Sequence, residues 1–127
     1  MAAKSKKVSL KEEAESFGYA FKGAILSFRE RHVRYHAISF LVVCIANWLL
    51  ELSKTEWAVT LACATMVVVA EVINTVIEEN MDFIHPEKNT VVGRIKDLAA
   101  GAVFFAAFGA LIVAFIIYGP KLWELLA

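Results

Sequence analysis

The sequence has no glycine-rich phosphate cradle. Its six glycines are scattered, and no Gly-x-x-x-x-Gly-Lys-Ser/Thr run occurs, so any phosphate chemistry must use another device. Cysteine is equally sparse. Cys44 and Cys63 both lie in apolar runs with no metal-ligand spacing around them. They make no disulfide framework and read as buried free thiols. Neither sign of charge is in excess, because 13 Lys and Arg balance 13 Asp and Glu, and no nucleic-acid partner is expected. The opening residues do not read as a cleavable signal peptide, since the first apolar run begins only after roughly thirty residues of mixed charge. There is no internal repeat and no low-complexity segment. The length allows one domain, residues 1–127.

What the chain has in quantity is hydrophobic side chains, 59% of all residues. Soluble globular domains usually carry roughly 45–50%. They gather in three runs, residues 35–50, 57–77 and 98–118. Each is near the roughly 17–25 residues a helix needs to cross a bilayer. In lipid only helices and closed barrels satisfy their own backbone, and these runs lack the polar alternation of barrel strands. The fold class is therefore all-α, an integral membrane protein with three transmembrane helices. Eight of the 13 Lys and Arg residues precede the first run: Lys4, Lys6, Lys7, Lys11, Lys22, Arg29, Arg31 and Arg34. Lys88, Arg94 and Lys96 lie between the second and third runs, and only Lys54 and Lys121 fall on the other side. The positive-inside rule then predicts a multi-pass protein with its N-terminus in the cytoplasm and its C-terminus outside. Trp48, Trp57, Tyr118 and Trp123 would all stand at the outer interface, which agrees.

Ahead of the spans, Ser9-Leu-Lys-Glu12 has the form of a helix capping box. From there Leu10, Ala14, Phe17, Phe21, Ala24 and Phe28 recur at spacings of three and four, with Glu12, Glu15, Tyr19 and Lys22 largely off that face. Beside three spans, this amphipathic helix over 9–30 is predicted to lie on the cytoplasmic leaflet. His36 and Asn47, near the ends of the first span, read as helix–helix or interfacial hydrogen-bonding groups. A short outer turn over 51–56 makes the first two spans an antiparallel hairpin. His85-Pro86 ends the second helix, 87–94 forms a cytoplasmic loop, and Ala102, Ala106, Ala110 and Ala114 give the third span a small-residue ridge for close packing.

The chemistry concentrates in the cytoplasmic half of the second span. Glu71, Asn74, Thr75, Glu78 and Asp82 fall within about 100° of one helix face at roughly 100° per residue. Glu71 follows Trp57 by 14 residues, roughly 21 Å along the axis, which places it inside a hydrocarbon core of about 30 Å. A carboxylate there costs at least about 2.5 to 3.5 kcal/mol on insertion scales, so the stripe points to function. Glu30, Glu71, Asn74, Glu78, Asp82 and Asp97 offer oxygen ligands or proton acceptors, and Arg94 and Lys96 offer phosphate partners. Mg²⁺ favours a few carboxylates together with nucleotide oxygens, which this set can supply. A partly desolvated Glu71 suits the role of a base accepting a hydroxyl proton. Two plainer roles stand beside these: Glu30 is spaced for an ion pair with Arg34 worth about 0.3 to 0.5 kcal/mol, and Lys96 and Arg94 satisfy the positive-inside pattern by themselves. From the residues alone, a membrane-interface enzyme and a proton-coupled transporter subunit fit equally well.

The pattern Glu71-x-x-Asn74-Thr75-x-x-Glu78-x-x-x-Asp82, followed by Lys96-Asp97-x-Ala-Ala-Gly101-Ala-Val, resembles the prokaryotic diacylglycerol kinase family, which includes the undecaprenol kinases. Tyr19-Ala-Phe-Lys22-Gly23 and Glu30-x-x-x-Arg34 match its upstream pattern, and the resemblance spans roughly residues 17–118. Two departures stand out: Lys88-Asn89 replaces an aromatic-His pair common in the family, and Glu12, Glu13 and Glu15 stand where relatives tend to be basic. The resemblance implies a homotrimer in the bacterial inner membrane that moves the γ-phosphoryl group of ATP to a lipid hydroxyl. It gives Glu71 the part of general base and Glu30 and Glu78 that of Mg²⁺ ligands. Asn74, Lys96, Asp97, Arg94, Tyr19 and Lys22 would complete the nucleotide and phosphate contacts. The implied acceptor is diacylglycerol, suggested by Gly93-Arg94. Undecaprenol is the alternative, suggested by Leu52-Ser-x-x-Glu56-Trp57 and the Ala-Ala-Gly-Ala-Val run.

Overall fold

Ser9 and Glu12 cap the first helix as their spacing predicts. The Glu12 amide donates to Ser9 Oγ at 3.2 Å and the Ser9 amide donates to Glu12 Oε2 at 2.8 Å. The computed structural model describes residues 9–127 and contains four helices among them: α1 Leu10–Ser27, α2 Arg31–Leu49, α3 Lys54–Ile84 and α4 Thr90–Leu126. Lys4, Lys6 and Lys7, counted in the charge asymmetry, lie outside the described residues. No residue of α1 is buried, and its apolar face is open, with Phe17 79% exposed. That face has no protein partner among the described residues of this chain.

The predicted hairpin of α2 and α3 is held by polar pairs at both ends. His36 Nε2 stands 3.8 Å from Glu71 Oε2 at one end, and Asn47 Nδ2 donates to Thr60 Oγ1 at 2.8 Å at the other. The two pairs are eleven residues apart on each helix, which fixes an antiparallel register without slippage. Asn47 is completely buried and also accepts from Tyr118 Oη at 2.6 Å, so one side chain ties α2, α3 and α4 together. Interhelical hydrogen bonds of this kind contribute about 0.6 kcal/mol on average within a bilayer. Trp48, Trp57 and Tyr118 gather around this end, the aromatic cluster the sequence predicts.

α2 stops in a Schellman motif. The Leu52 amide donates to Asn47 O at 3.0 Å and the Glu51 amide to Trp48 O at 3.3 Å, with Glu51 at φ 49°. A side-chain-bearing residue in that left-handed conformation costs energy that glycine would not, and burial of Leu52 against the turn offsets it. Ser53 then starts α3 with a second capping box, pairing with Glu56.

α3 ends at His85 and Pro86 as expected, but the connection to α4 is shorter than the predicted loop over 87–94. Asn89 Oδ1 accepts from the Val91 amide at 2.8 Å and the Val92 amide at 3.4 Å, so it is a helix N-cap. Arg94, Lys96 and Asp97 therefore ride on the first turns of a helix. α4 continues for 37 residues through Pro120 and overshoots the predicted 98–118 span at both ends. α3 and α4 are long and apolar enough to cross a membrane. α2 falls short of that measure because Arg31, His32, Arg34 and His36 occupy its first turns.

Candidate active site

One face of α3 carries the site. Glu71 and Asn74 are buried, with Glu71 only 6% exposed, while Glu78 one turn further on is half-buried. Asn74 Nδ2 donates to Glu78 Oε1 at 3.2 Å, which orients both side chains along the helix. The other end of the amide is unusual. Asn74 Oδ1 is buried and accepts no hydrogen bond from any described residue. A buried acceptor without a donor costs about 1–3 kcal/mol, so the position calls for a donor or cation from outside the chain.

Glu71 is held between helices. Its backbone carbonyl accepts from Thr75 Oγ1 at 3.1 Å, and its carboxylate faces His36 of α2. The sequence marked His36 as a helix–helix or interfacial hydrogen-bonding group and Lys96 as a phosphate partner. Lys96 donates to Asp82 Oδ1, near the C-terminal end of α3, and the group that faces Glu71 is the histidine. That pairing was not legible, because residues 36 and 71 meet only once the hairpin register is known.

Other predicted members lie apart. Glu30 is the N-cap residue of α2, without a capping bond from its side chain, and borders a cavity of about 320 Å³. That cavity is also lined by Val72, Thr75, Val76 and Glu79 of α3. Glu78 does not line that cavity: at about 100° per residue Glu79 points roughly a quarter turn away from it, and only Thr75 is common to the cavity and the Glu71–Glu78 face. The spacing of Glu30 and Arg34 produces no ion pair either: Arg34 Nη1 donates to Arg29 O at 3.2 Å. Arg94 and Asp97 are exposed on α4, on the side turned from Lys96 and the buried Ala99. Tyr19 and Lys22 sit together on exposed α1, with the ammonium 5.8 Å from the ring centroid. Among the described residues no three His, Cys, Asp or Glu side chains gather closely enough to cage a metal ion.

The oxygen-rich donor set nevertheless suits a hard cation that keeps water and substrate phosphate as further ligands. Glu78 presents a carboxylate one turn towards the C-terminal end of α3, beside the unsatisfied Asn74 oxygen. Next to it, a buried carboxylate waits without a structural ion pair of hydrogen-bonding length.

Comparison with known proteins gives this arrangement a family. The chain is 32% identical to an undecaprenol kinase of Bacillus subtilis over 123 residues, covering 96% of this chain and all of that protein. It is 34% identical to a diacylglycerol kinase of Synechocystis over 113 residues, 87% of this chain and 65% of that protein. With a diacylglycerol kinase of Escherichia coli it shares 31% over 109 residues, 84% of this chain and 85% of the other. A family profile described as prokaryotic diacylglycerol kinase matches residues 18–118, which include every site residue discussed above, and the chain belongs to that family.

Proposed function

We propose that this chain phosphorylates the hydroxyl group of a membrane lipid, diacylglycerol, at the cytoplasmic face of a bacterial inner membrane. It is a lipid kinase with ATP as co-substrate. The observation that carries the site assignment is the row of Glu71, Asn74 and Glu78 on one face of α3, ending in a buried oxygen that lacks a donor. A carrier would need the acids but not the nucleotide, and family membership removes that alternative.

In this reading Glu71 accepts the proton of the lipid hydroxyl as oxygen–phosphorus bonding begins. Its depth suits the acceptor, whose hydroxyl reaches the interface while its chains stay in lipid. Glu78 and Glu30 hold Mg²⁺, which when bound neutralises the phosphate charge that would otherwise repel the nucleophile. Asn74 offers its free carbonyl oxygen to a donor or cation of the bound complex. Lys96 leaves Asp82 for nucleotide phosphate. The pair it leaves is half-exposed, and such pairs are worth about 0–1 kcal/mol. Arg94, Asp97, Tyr19 and Lys22 contribute further nucleotide contacts. Because Glu30 and Glu78 are turned apart in one chain, the site is completed in an oligomer, a homotrimer, by Glu30 of a neighbouring copy.

Residues 1–127 act as one membrane domain. α2 crosses beside α3, to which its register binds it at both ends, and α1 lies on the cytoplasmic leaflet with its open apolar face in lipid. The charge asymmetry supports a cytoplasmic α3–α4 connection. A cysteine at Lys88, in a background without Cys44 and Cys63, is expected to resist a membrane-impermeant thiol reagent in intact cells and to react after lysis. Lys88 is preferable to Asn89, which caps α4. Rapid labelling of intact cells reverses the orientation.

A second acceptor, undecaprenol, is favoured by the end-to-end match with the Bacillus subtilis undecaprenol kinase. Purified protein supplied with ATP, Mg²⁺ and both lipids separates the two readings by mass spectrometry of the products. Phosphatidic acid as the dominant product is expected. Dominant undecaprenyl phosphate moves the assignment to the polyprenol, and absence of both products refutes this choice of acceptors.

A further inference from the structure

We propose that His36 is the group through which Glu71 discharges its proton after each turnover. This rests on the reading of Glu71 as the base. Transfer of a phosphoryl group from ATP to an alcohol yields the phosphate ester, ADP and one proton per cycle. That proton passes from the lipid oxygen to Glu71, and the carboxyl must lose it before the next acceptor is deprotonated.

Bulk water serves this step poorly, since Glu71 is 6% exposed. Among the described residues, His36 is the one basic side chain within ion-pair distance of it, with Nε2 3.8 Å from Oε2. The groups Glu71 shares a face with on α3 are Asn74, Thr75 and Glu78. Asn74 and Glu78 bond each other, and Thr75 bonds the backbone. From α4, Lys96 is engaged by Asp82, and Arg94 and Asp97 face away. On the inner side the imidazole borders a mostly apolar cavity of about 360 Å³ between α2, α3 and α4, which offers the proton no path. Its own side chain is 29% exposed, more than three times the Glu71 side chain at 8%, so it is the more open member of the pair.

At 3.8 Å the two groups are beyond direct hydrogen bonding, and a small ring rotation or one bridging water closes the gap. The neutral imidazole takes the carboxyl proton at Nε2 and releases the proton held on Nδ1. Exchange of the remaining proton between the two nitrogens, or a ring flip, restores the accepting Nε2 before the next cycle, so no net charge is left behind. His36 touches neither lipid nor nucleotide in this scheme and acts only through Glu71.

The test compares His36→Gln and His36→Ala with wild type in single-turnover and steady-state assays. With the relay removed, the first phosphoryl transfer stays near the wild-type rate while kcat falls about 10- to 100-fold. Product then appears as a burst of about one per site, with kcat/KM for ATP and lipid unchanged, so that KM falls together with kcat. Added imidazole is expected to restore turnover in His36→Ala. Wild-type kcat in both variants overturns the proposal. So does a single-turnover rate that falls in step with kcat and does not respond to imidazole. Glu71→Gln assayed in parallel separates the two ideas: an active Glu71→Gln enzyme removes the base itself, whereas inactive Glu71→Gln beside normal His36 variants removes only the relay.

Discussion

Glu71→Gln is expected to lower kcat by about 10² to 10⁴, the usual contribution of a positioned general base. Glutamine keeps the volume of the side chain and much of its hydrogen bonding, so the buried site should still fold around it. It cannot accept the hydroxyl proton. KM for ATP and for the lipid should change little, because neither substrate owes its binding to the charge of this group. Steady-state kinetics in mixed micelles with both substrates varied would check this. A loss confined to the KM of the lipid makes Glu71 a binding group, and unchanged kinetics remove it from the mechanism. Stability should if anything rise, since the substitution removes a carboxylate from a low-dielectric setting where it has only His36, at 3.8 Å, as counter-group.

Glu71 stood out in the sequence because depth and charge conflict there. A carboxylate some 14 residues into an apolar run needs no fold to look out of place. Local signals were legible in the same way. Ser9 with Glu12 and His85 with Pro86 mark helix ends through bonds and clashes within a few residues, and the structure has both ends where expected. Asn89 was missed as a cap although its type suits the position, and that single omission turned the first two turns of α4 into a loop. Glu51 gave no signal because glycine is the usual mark of a left-handed helix stop.

What remained hidden depended on register and rotation. The helical face grouped Glu71, Asn74 and Glu78 correctly, yet it could not say that His36, 35 residues earlier, would face the first of them. Nor could it show that Lys96 would be taken by Asp82. The one-sided periodicity of α1 predicted an amphipathic helix lying on a membrane surface, and the chain by itself leaves that face open.

Glu30 supplies the second large effect, and its position makes the expectation quantitative. The cavity it borders is lined on α3 by Val72, Thr75, Val76 and Glu79, a face centred roughly a quarter turn from Glu71 and Glu78 and sharing only Thr75 with theirs. If Glu30 ligates the same metal as Glu78, the two carboxylates must come from neighbouring copies in a closed ring. Glu30→Gln and Glu71→Gln should then each be nearly inactive alone, for lack of a metal ligand and of a base respectively. When the two are mixed and co-assembled at random in equal amounts, a site is complete wherever a chain with intact Glu71 meets a neighbour with intact Glu30. That occurs at about a quarter of the interfaces, whatever the number of copies in the ring. Recovery of about one quarter of wild-type specific activity is therefore the expected result, read after co-purification through two different affinity tags. The fraction does not depend on ring size, so the trimer itself is tested separately, by native mass spectrometry of the detergent-solubilised protein. Activity that stays at background despite proven co-assembly places Glu30 and Glu71 in the same chain's site. The cavity beside Glu30 and Glu79 would then mark a place where α2 must move before Glu30 can act.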